Sequence, residues 1–231
     1  MKFVSKAEIR LRALACILGA AAVAGSAVAQ STEAPASPTP PTKVPASPAL
    51  KAAPRLPPPG TYSVEPQHTE IMFGVKHLGF TWYYGFFSHA SGSLVLDPSN
   101  LPETRLEVKV PVSSVLTTSP KLNEELQGTQ WLNAASYPDM TFRSTKVTVT
   151  GADKAQVEGE LTLHGVTRPV TLEAKFNQGG ENPLDHHYTI GFQAHGVIKR
   201  SDFGVSAYVP MVGDEVRINI SAAFERAPNT P

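Results

Sequence analysis

Two alternating segments meet at a turn in Gly159-Glu-Leu-Thr-Leu-His-Gly-Val-Thr-Arg-Pro-Val-Thr-Leu-Glu-Ala-Lys-Phe176. Apolar side chains occupy every second position up to Leu163 and again from Val170 onward, with polar side chains between them. A period of two is typical of β-strands that have one buried face and one solvated face. The stretch therefore predicts an antiparallel hairpin with one side in water.

The turn of this hairpin decides which residues face each other. A two-residue loop at Gly165-Val166 would place Leu161 opposite Val170 and keep both apolar rows on one face. Glycine at the first loop position favours a type II′ turn, because that position requires a positive φ. We therefore predict a type II′ turn at Gly165-Val166.

The chain from Gly60 onward repeats the alternating pattern in about eight segments at hairpin spacing. The apolar phase slips between Phe142 and Val147, which predicts a bulge. One short helix interrupts the strands, with Ser119 as N-cap, Pro120 at its first position and Gly128 after its end. Barrel and sandwich both fit this pattern, but the long strands carry no guarding inward charges, which favours closure. The sequence predicts an all-β fold: a single antiparallel eight-stranded barrel with a short helix.

Composition divides the chain into three parts. Residues 1–29 combine a basic start, an apolar run and an Ala27-Val28-Ala29 exit, which predicts a cleaved signal peptide. A retained membrane anchor is the alternative, although the run is short for a span. Residues 30–59 are rich in Pro and Ala and predict a disordered linker, followed by the barrel domain at 60–227. Cys16 lies in the first part, so cysteine chemistry is not expected in the processed chain.

The net charge and the absence of known enzyme motifs indicate which classes of function are disfavoured. The formal net charge is zero, from 20 basic and 20 acidic residues, which disfavours nucleic-acid binding. The sequence contains no G-x-S-x-G or H-E-x-x-H motif and no Gly-rich phosphate loop. The adjacent His186 and His187 face opposite ways in an extended chain, and no metal site is predicted. Catalysis by scattered residues stays open, because barrels assemble sites from distant positions.

Several ordered motifs resemble the YceI-like polyisoprenoid-binding proteins. They are Phe73-Gly-Val-Lys-His77, Trp131-Leu-Asn-Ala-Ala-Ser-Tyr-Pro, Gly159-Glu-Leu-Thr-Leu-His-Gly-Val, Ile198-Lys-Arg-Ser-Asp-Phe-Gly-Val and Val212-Gly-Asp-Glu-Val-Arg-Ile. The resemblance implies a lipocalin-like barrel, exported to the periplasm, whose apolar interior holds a long isoprenoid or similar amphiphile. The chain departs from the family on the short helix, where Leu122-Asn-Glu-Glu-Leu126 replaces an Arg-Asp-x-His-Leu run.

Small residues recur within the predicted inward rows, at Gly159, Ala174, Ala194, Gly196 and Ala222. They either leave room for a ligand along the axis or relieve crowding in a packed core. His77 is expected near a strand end, bonding a ligand's head or a backbone carbonyl. Arg200 either meets a head group or pairs with Asp202 at a tight turn. The candidate ligand-binding residues are Phe73, Val75, His77, Trp82, Tyr84, Phe142, Leu161, Leu172, Phe192, Ala194, Arg200 and Ile218.

These features together predict a non-enzymatic periplasmic carrier of an isoprenoid or quinone-like lipid, with no other cofactor. One alternative is a lipid-processing enzyme, an isomerase or hydrolase, that uses His77. Another is a protein that holds a quinone for a membrane redox partner in periplasmic electron transfer. The sequence leaves a homodimer open.

Overall fold

The computed structural model describes residues 56–226 of the chain. The predicted signal peptide and residues 30–55 of the predicted linker lie outside the described residues. Within residues 56–226, no helix has both the length and the apolar character that a membrane span requires.

The described chain forms nine strand segments and one α-helix. They are β1 (Gly60–His77), β2 (Thr81–Phe87), β3 (Ser91–Leu96), β4 (Arg105–Pro111), α1 (Pro120–Gln127), β5 (Asp139–Val149), β6 (Lys154–Leu163), β7 (Val166–Glu181), β8 (Tyr188–Lys199) and β9 (Val212–Arg226).

The strands close into an antiparallel barrel. Strands β3 to β9 pair in chain order, and β1 pairs with both β3 and β9, so the ring has no free edge there. The first part of β1 pairs with β3 and residues 71–77 pair with β2. Strands β2 and β3 are therefore two parts of one barrel strand, broken at residues 88–90, where His89 has a φ of 56°. The ring contains eight strands, which confirms the predicted fold class.

β2 is held differently from the other strands. In the described part of the chain it pairs with β1 along one edge, and its other edge makes one isolated bridge, between Phe86 and Leu116. The two backbone hydrogen bonds of this bridge are each 2.9 Å long. The wall beside β2 is thus completed by the segment that leads to α1.

The central hairpin turns one residue earlier than predicted. His164 and Gly165 form the loop with φ values of 52° and 73°, the pattern of a type I′ turn rather than type II′. Leu161 consequently faces Arg168 instead of Val170. A register shift of two residues preserves side-chain direction, so both apolar rows still share the inner face.

His164 has specific contacts that hold it in the left-handed region. Its Nδ1–H donates to the Phe203 carbonyl oxygen at 3.1 Å, and its ring meets the edge of Tyr137 at a centroid separation of 5.0 Å. The turn type was mispredicted because neither contact is visible in the local sequence.

The short helix forms as predicted. The Ser119 hydroxyl accepts a hydrogen bond from the Leu122 N–H at 3.3 Å, Pro120 begins α1 and Gly128 follows its last residue. The predicted bulge in β5 is confirmed at residues 144–146, where the pairing with β6 shifts register.

The apolar core is distributed along the barrel wall rather than gathered on the axis. One buried cluster surrounds Tyr62 and Ile190 at the end of the barrel where β1 begins and β9 ends, which we call the terminus end. Others surround Val110 and Phe203 at the opposite end, where α1 lies, which we call the helix end. This arrangement leaves the middle of the barrel to the smaller inward side chains.

Two of the predicted small residues do not open the interior. A Cβ on Gly159 would meet the Phe142 ring and the Arg143 carbonyl oxygen, and a Cβ on Gly196 would lie 2.8 Å from the Leu172 side chain. The glycines therefore make room for large neighbours, as the crowding interpretation expected, and contribute no free volume themselves.

We predict that Gly159→Ala lowers the free energy of unfolding by about 1–3 kcal/mol, because Phe142 must leave its position over the strand. The matched control is Gly180→Ala on β7, where a Cβ meets nothing within 4 Å. The control is expected to be neutral or slightly stabilising. Urea denaturation of both variants measures the difference, and equal midpoints would contradict the assignment of Gly159 as a packing position.

Candidate functional site

An elongated apolar cavity of about 730 Å³ occupies the barrel interior. On β9 its lining runs from Val212 to Phe224, which corresponds to about 40 Å of extended strand. The volume lies within the range of about 300–1,000 Å³ that is usual for small-molecule sites. The interior is therefore open rather than filled by side chains.

Ten of the twelve predicted site residues line this cavity. They are Phe73, Val75, His77, Phe142, Leu161, Leu172, Phe192, Ala194, Arg200 and Ile218. Their contact with a ligand stays a prediction, while their shared position follows from the alternating pattern of each strand.

Trp82 and Tyr84, the other two predicted ligand-binding residues, do not line the cavity and lie outside the barrel. The Arg217 guanidinium sits 4.1 Å from the Trp82 ring centre, and the Tyr84 ring covers Gly74, 2.7 Å from where a Cβ would stand. Both aromatic rings therefore pack on the outer surface, beside β1 and β9.

The inner face of β2 carries Tyr83 and Phe87, which sequence reasoning missed. Tyr83 pairs with Val75, and Gly85 pairs with Phe73, whose ring fills the space where a Cβ would be. A glycine opposite an inward phenylalanine is the one sequence signal that marks the odd positions as inward.

Three alanines form the thinnest part of the wall. Ala155, Ala174 and Ala194 stand side by side on β6, β7 and β8, and all three line the cavity. Ala222 on β9 lines it as well. Each of these residues contributes only a methyl group, so for Ala174, Ala194 and Ala222 the structure favours the interpretation that small inward residues leave room in the interior.

Polar side chains gather where the cavity reaches the helix end. His77, Tyr83, Glu125 and Trp131 all line this region. The Trp131 indole N–H donates to Glu125 at 3.4 Å, and the His77 ring lies 6.1 Å from that of Tyr83. The Tyr83 hydroxyl lies 3.1 Å from that of Thr118, and hydrogen bonding to the Thr117 and Thr118 hydroxyls lowers the pKa of Tyr83. The cavity thus has one end that offers hydrogen bonds to a ligand.

Arg200 borders the same end but is occupied by the protein's own backbone. Its side chain is buried and lies 5.4 Å from the Trp131 ring centre. Its N–H groups donate at 2.8–2.9 Å to the carbonyl oxygens of Val205, Ala207, Val212 and Gly213. Burial lowers its pKa, while the nearby Asp214 raises it. The residue organises the loop before β9, which favours the structural interpretation over head-group binding.

Asp214, not the predicted Asp202, is the carboxylate of this loop. It accepts hydrogen bonds from the Ser201 N–H at 2.9 Å and the Ser201 hydroxyl at 2.7 Å, whereas Asp202 is exposed. Burial alone would raise the pKa of Asp214, but these bonds and the charges of Arg200 and Lys199 lower it overall. The carboxylate is therefore bound in its charged form.

The terminus end of the cavity has a different border. Leu56 and Pro57 line it together with the β5–β6 turn, including Asp153 and Lys154. Thr104 also lines it, and its hydroxyl oxygen is buried without a hydrogen-bond partner among the described residues. This end is therefore mixed in polarity.

His186 and His187 bond different carboxylates, Glu181 at 2.8 Å and Glu225 at 3.1 Å, although His186 has a φ of 64° and the segment is a turn rather than the extended chain that was predicted. Ligand atoms of Asp185, His187 and Glu225 lie within 4.8 Å of one another on the surface. Such exposed acidic groups are common without an ion, and the cluster lies apart from the cavity lining.

A family model described as a YceI-like domain matches residues 62–224. The UPF0312 protein of Yersinia pestis (strain Pestoides F) is 40% identical over 157 residues, which cover 68% of this chain and 81% of that relative. BcnA of Burkholderia cenocepacia aligns with a TM-score of 0.63 and 26% identity, over 69% of this chain and 98% of its own. A polyisoprenoid binding domain from Saccharophagus degradans, at 16% identity and a TM-score of 0.55, shares the fold over 72% of this chain and 98% of its own.

The segment in which the chain departs from the family pattern borders the cavity. Leu122, Glu125 and Leu126 of α1 all line it. The departure therefore places an apolar side chain and a carboxylate at the polar end of the cavity, where the family pattern has Arg and His.

We predict that Asp214→Asn lowers the free energy of unfolding at pH 7 by about 1–2 kcal/mol, because the bonds from Ser201 lose a charged acceptor. The native pKa is lowered, so this stability is present above the ordinary carboxyl value of 3.8 and is lost as the pH falls through the native pKa. Thermal unfolding from pH 7 downward should show the difference between the proteins shrinking in acid. A difference that stays constant would contradict a charged carboxylate at this position.

Proposed function

This chain belongs to the YceI-like domain family, and we propose that it is a carrier that binds one polyisoprenoid or similar amphiphilic lipid inside the barrel. The observation that carries the proposal is the open apolar cavity, which extends along the barrel and has hydrogen-bonding side chains at the helix end. A long hydrocarbon with a small polar head would place its chain along the apolar interior and its head against these side chains.

Burial of hydrocarbon is sufficient to drive such binding. Each buried methylene contributes about 0.8 kcal/mol, so ten of them supply about 8 kcal/mol before the cost of immobilising the chain. A micromolar dissociation constant requires about 8 kcal/mol net, so more than ten buried methylenes are needed to offset the cost of immobilisation. A longer isoprenoid would therefore bind firmly with few polar contacts.

The wall of alanines supports a branched chain rather than a straight one. Ala155, Ala174 and Ala194 leave width along one side of the cavity, and methyl branches need more room than a straight chain does. The Saccharophagus degradans domain, described as polyisoprenoid binding, has the same fold, which is consistent with this ligand class.

The polar end favours an uncharged head group, such as a quinone, phenol or alcohol. The nearest buried cation, Arg200, already donates to four carbonyl oxygens, and Glu125 places a carboxylate in the same region. Among the described residues that line the cavity at the helix end, Arg200 is the one Lys or Arg side chain, so a phosphate there would meet the Glu125 carboxylate without an unengaged Lys or Arg to balance its charge. His77 and Tyr83 offer hydrogen bonds to a carbonyl or hydroxyl oxygen.

The proposed carrier acts in the periplasm and releases its ligand chemically unchanged. The signal peptide predicted at residues 1–29 supports a periplasmic carrier, and the chain has no enzyme motif that demands catalysis. A quinone-holding role beside a membrane redox partner would use the same cavity. A lipid-processing role would require turnover at His77, whereas a carrier releases its ligand unaltered.

We predict that Ala194→Phe reduces the lipid recovered from natively purified protein at least severalfold, because the larger ring projects into the cavity. The matched control is Gln193→Phe, the exposed neighbour on the outer face of β8, which should retain the lipid. Mass spectrometry of organic extracts measures recovery, and circular dichroism verifies the fold. Equal recovery from both variants would refute a ligand inside the barrel.

We also predict that the protein prefers a neutral isoprenoid to its phosphate of equal chain length by about tenfold or more, the equivalent of about 1.4 kcal/mol. Competition between a polyprenol and the matching polyprenyl phosphate for one fluorescent lipid measures this preference. Glu125→Gln should reduce it, because the carboxylate that opposes the phosphate is gone. Tighter binding of the phosphate would refute the uncharged head group and leave the cavity itself unaffected.

A further inference from the structure

Five large apolar side chains stand exposed on two loops at the helix end. They are Leu78, Phe80, Tyr208, Val209 and Met211, which we call the apolar rim. The Leu78 N–H donates to the Met211 carbonyl oxygen at 2.9 Å, so the β1–β2 turn and the loop before β9 form one surface. The most exposed of the five, Phe80, has 86% of its surface in solvent.

The apolar rim is continuous with the cavity. Leu78, Tyr208 and Met211 are exposed and also line the cavity, so they border its opening at the helix end. A lipid that leaves the barrel here passes directly over these side chains. The rim therefore belongs to the ligand's path and not only to the outer surface.

The sequence of the β1–β2 turn is poorly suited to water. Leu78 and Gly79 have φ values of 52° and 76°, and the Phe80 N–H closes the turn onto the His77 carbonyl oxygen at 3.0 Å. Asn or Gly is favoured at the first of these positions, because other side chains are strained there. The turn exposes Leu78 and Phe80 to water without any stabilising contact from water in return. This indicates that a different environment covers these two side chains.

Amphipathic and basic side chains lie behind the rim on the outer face of the barrel. Arg217 and Lys76 lie 4.1 and 5.9 Å from the Trp82 ring centre, and Tyr84 stacks on Trp82 at a centroid separation of 6.4 Å. Tryptophan and tyrosine concentrate at the level of lipid head groups, and basic side chains attract anionic lipids. The apolar rim therefore suits the hydrocarbon layer of a bilayer surface. The aromatic and basic side chains behind it, which we call the charged belt, suit the head-group layer.

We propose that the apolar rim inserts into the surface of an anionic phospholipid membrane, with the opening of the cavity against the bilayer. A lipid then passes between bilayer and cavity without crossing water. The nature of the transferred lipid rests on the function proposed above, but attachment of the rim to a membrane does not. The charged belt behind the rim favours a lipid surface over a second copy of the chain.

Vesicles of phosphatidylethanolamine and phosphatidylglycerol, free of isoprenoid, test the attachment by co-sedimentation of the purified processed chain, residues 30–231, which lacks the predicted apolar signal peptide. We expect binding to these vesicles, and weaker binding to vesicles of phosphatidylcholine alone. Phe80→Ser should weaken binding about tenfold, the loss expected from one phenylalanine that no longer leaves water. Adding Leu78→Asn should weaken it further without harm to the fold, because asparagine suits the positive φ of that position.

Leu184→Ser is the matched control, since Leu184 is 90% exposed at the terminus end. It should bind vesicles as the native chain does. The proposal is overturned if the native chain does not bind, if Phe80→Ser binds equally well, or if Leu184→Ser loses as much affinity. It is also overturned, in favour of self-association, if light scattering shows a dimer that Phe80→Ser dissociates while neither protein binds vesicles. Lipid recovery from Ala194→Phe reports on the cavity alone, so the two proposals fail separately.

Discussion

The pairing of β1 with both β3 and β9 is the constraint on which the rest of the structure depends. Closure of the eight-stranded ring gives every described strand except β2 a hydrogen-bonded neighbour along both edges. It also fixes the barrel radius. With the radius fixed, the inward side chains alone decide whether the interior is solid or open. Alanines on three neighbouring strands then leave a cavity that larger residues would have filled.

The two ends of the barrel are built by different interactions. At the helix end, Arg200 donates to four backbone carbonyl oxygens and Asp214 accepts from Ser201, and the loop that carries Tyr208 and Met211 also buries Phe203 and Val205. These interactions order the loop, while the side chains of Tyr208, Val209 and Met211 stay exposed.

Fold class, helix boundaries and most of the inward rows follow from the sequence because they depend on local periodicity. Trp82 and Tyr84 were misplaced because β2 is aromatic at both parities, and only the partner strand decides its facing. The turn at His164 depends on Phe203 and Tyr137, which contact His164 only after the chain has folded. Arg200 and Asp214 likewise bond groups across a loop whose shape no pattern of alternation describes.

The interrupted strand has a dynamic consequence. In the part of the chain that the structure describes, opening β2 breaks one ladder, to β1, and a single bridge at Leu116, whereas every other strand of the ring is bonded along two neighbours. Local opening therefore requires the least free energy at β2, and the wall beside Tyr83 is the part of the barrel that yields first.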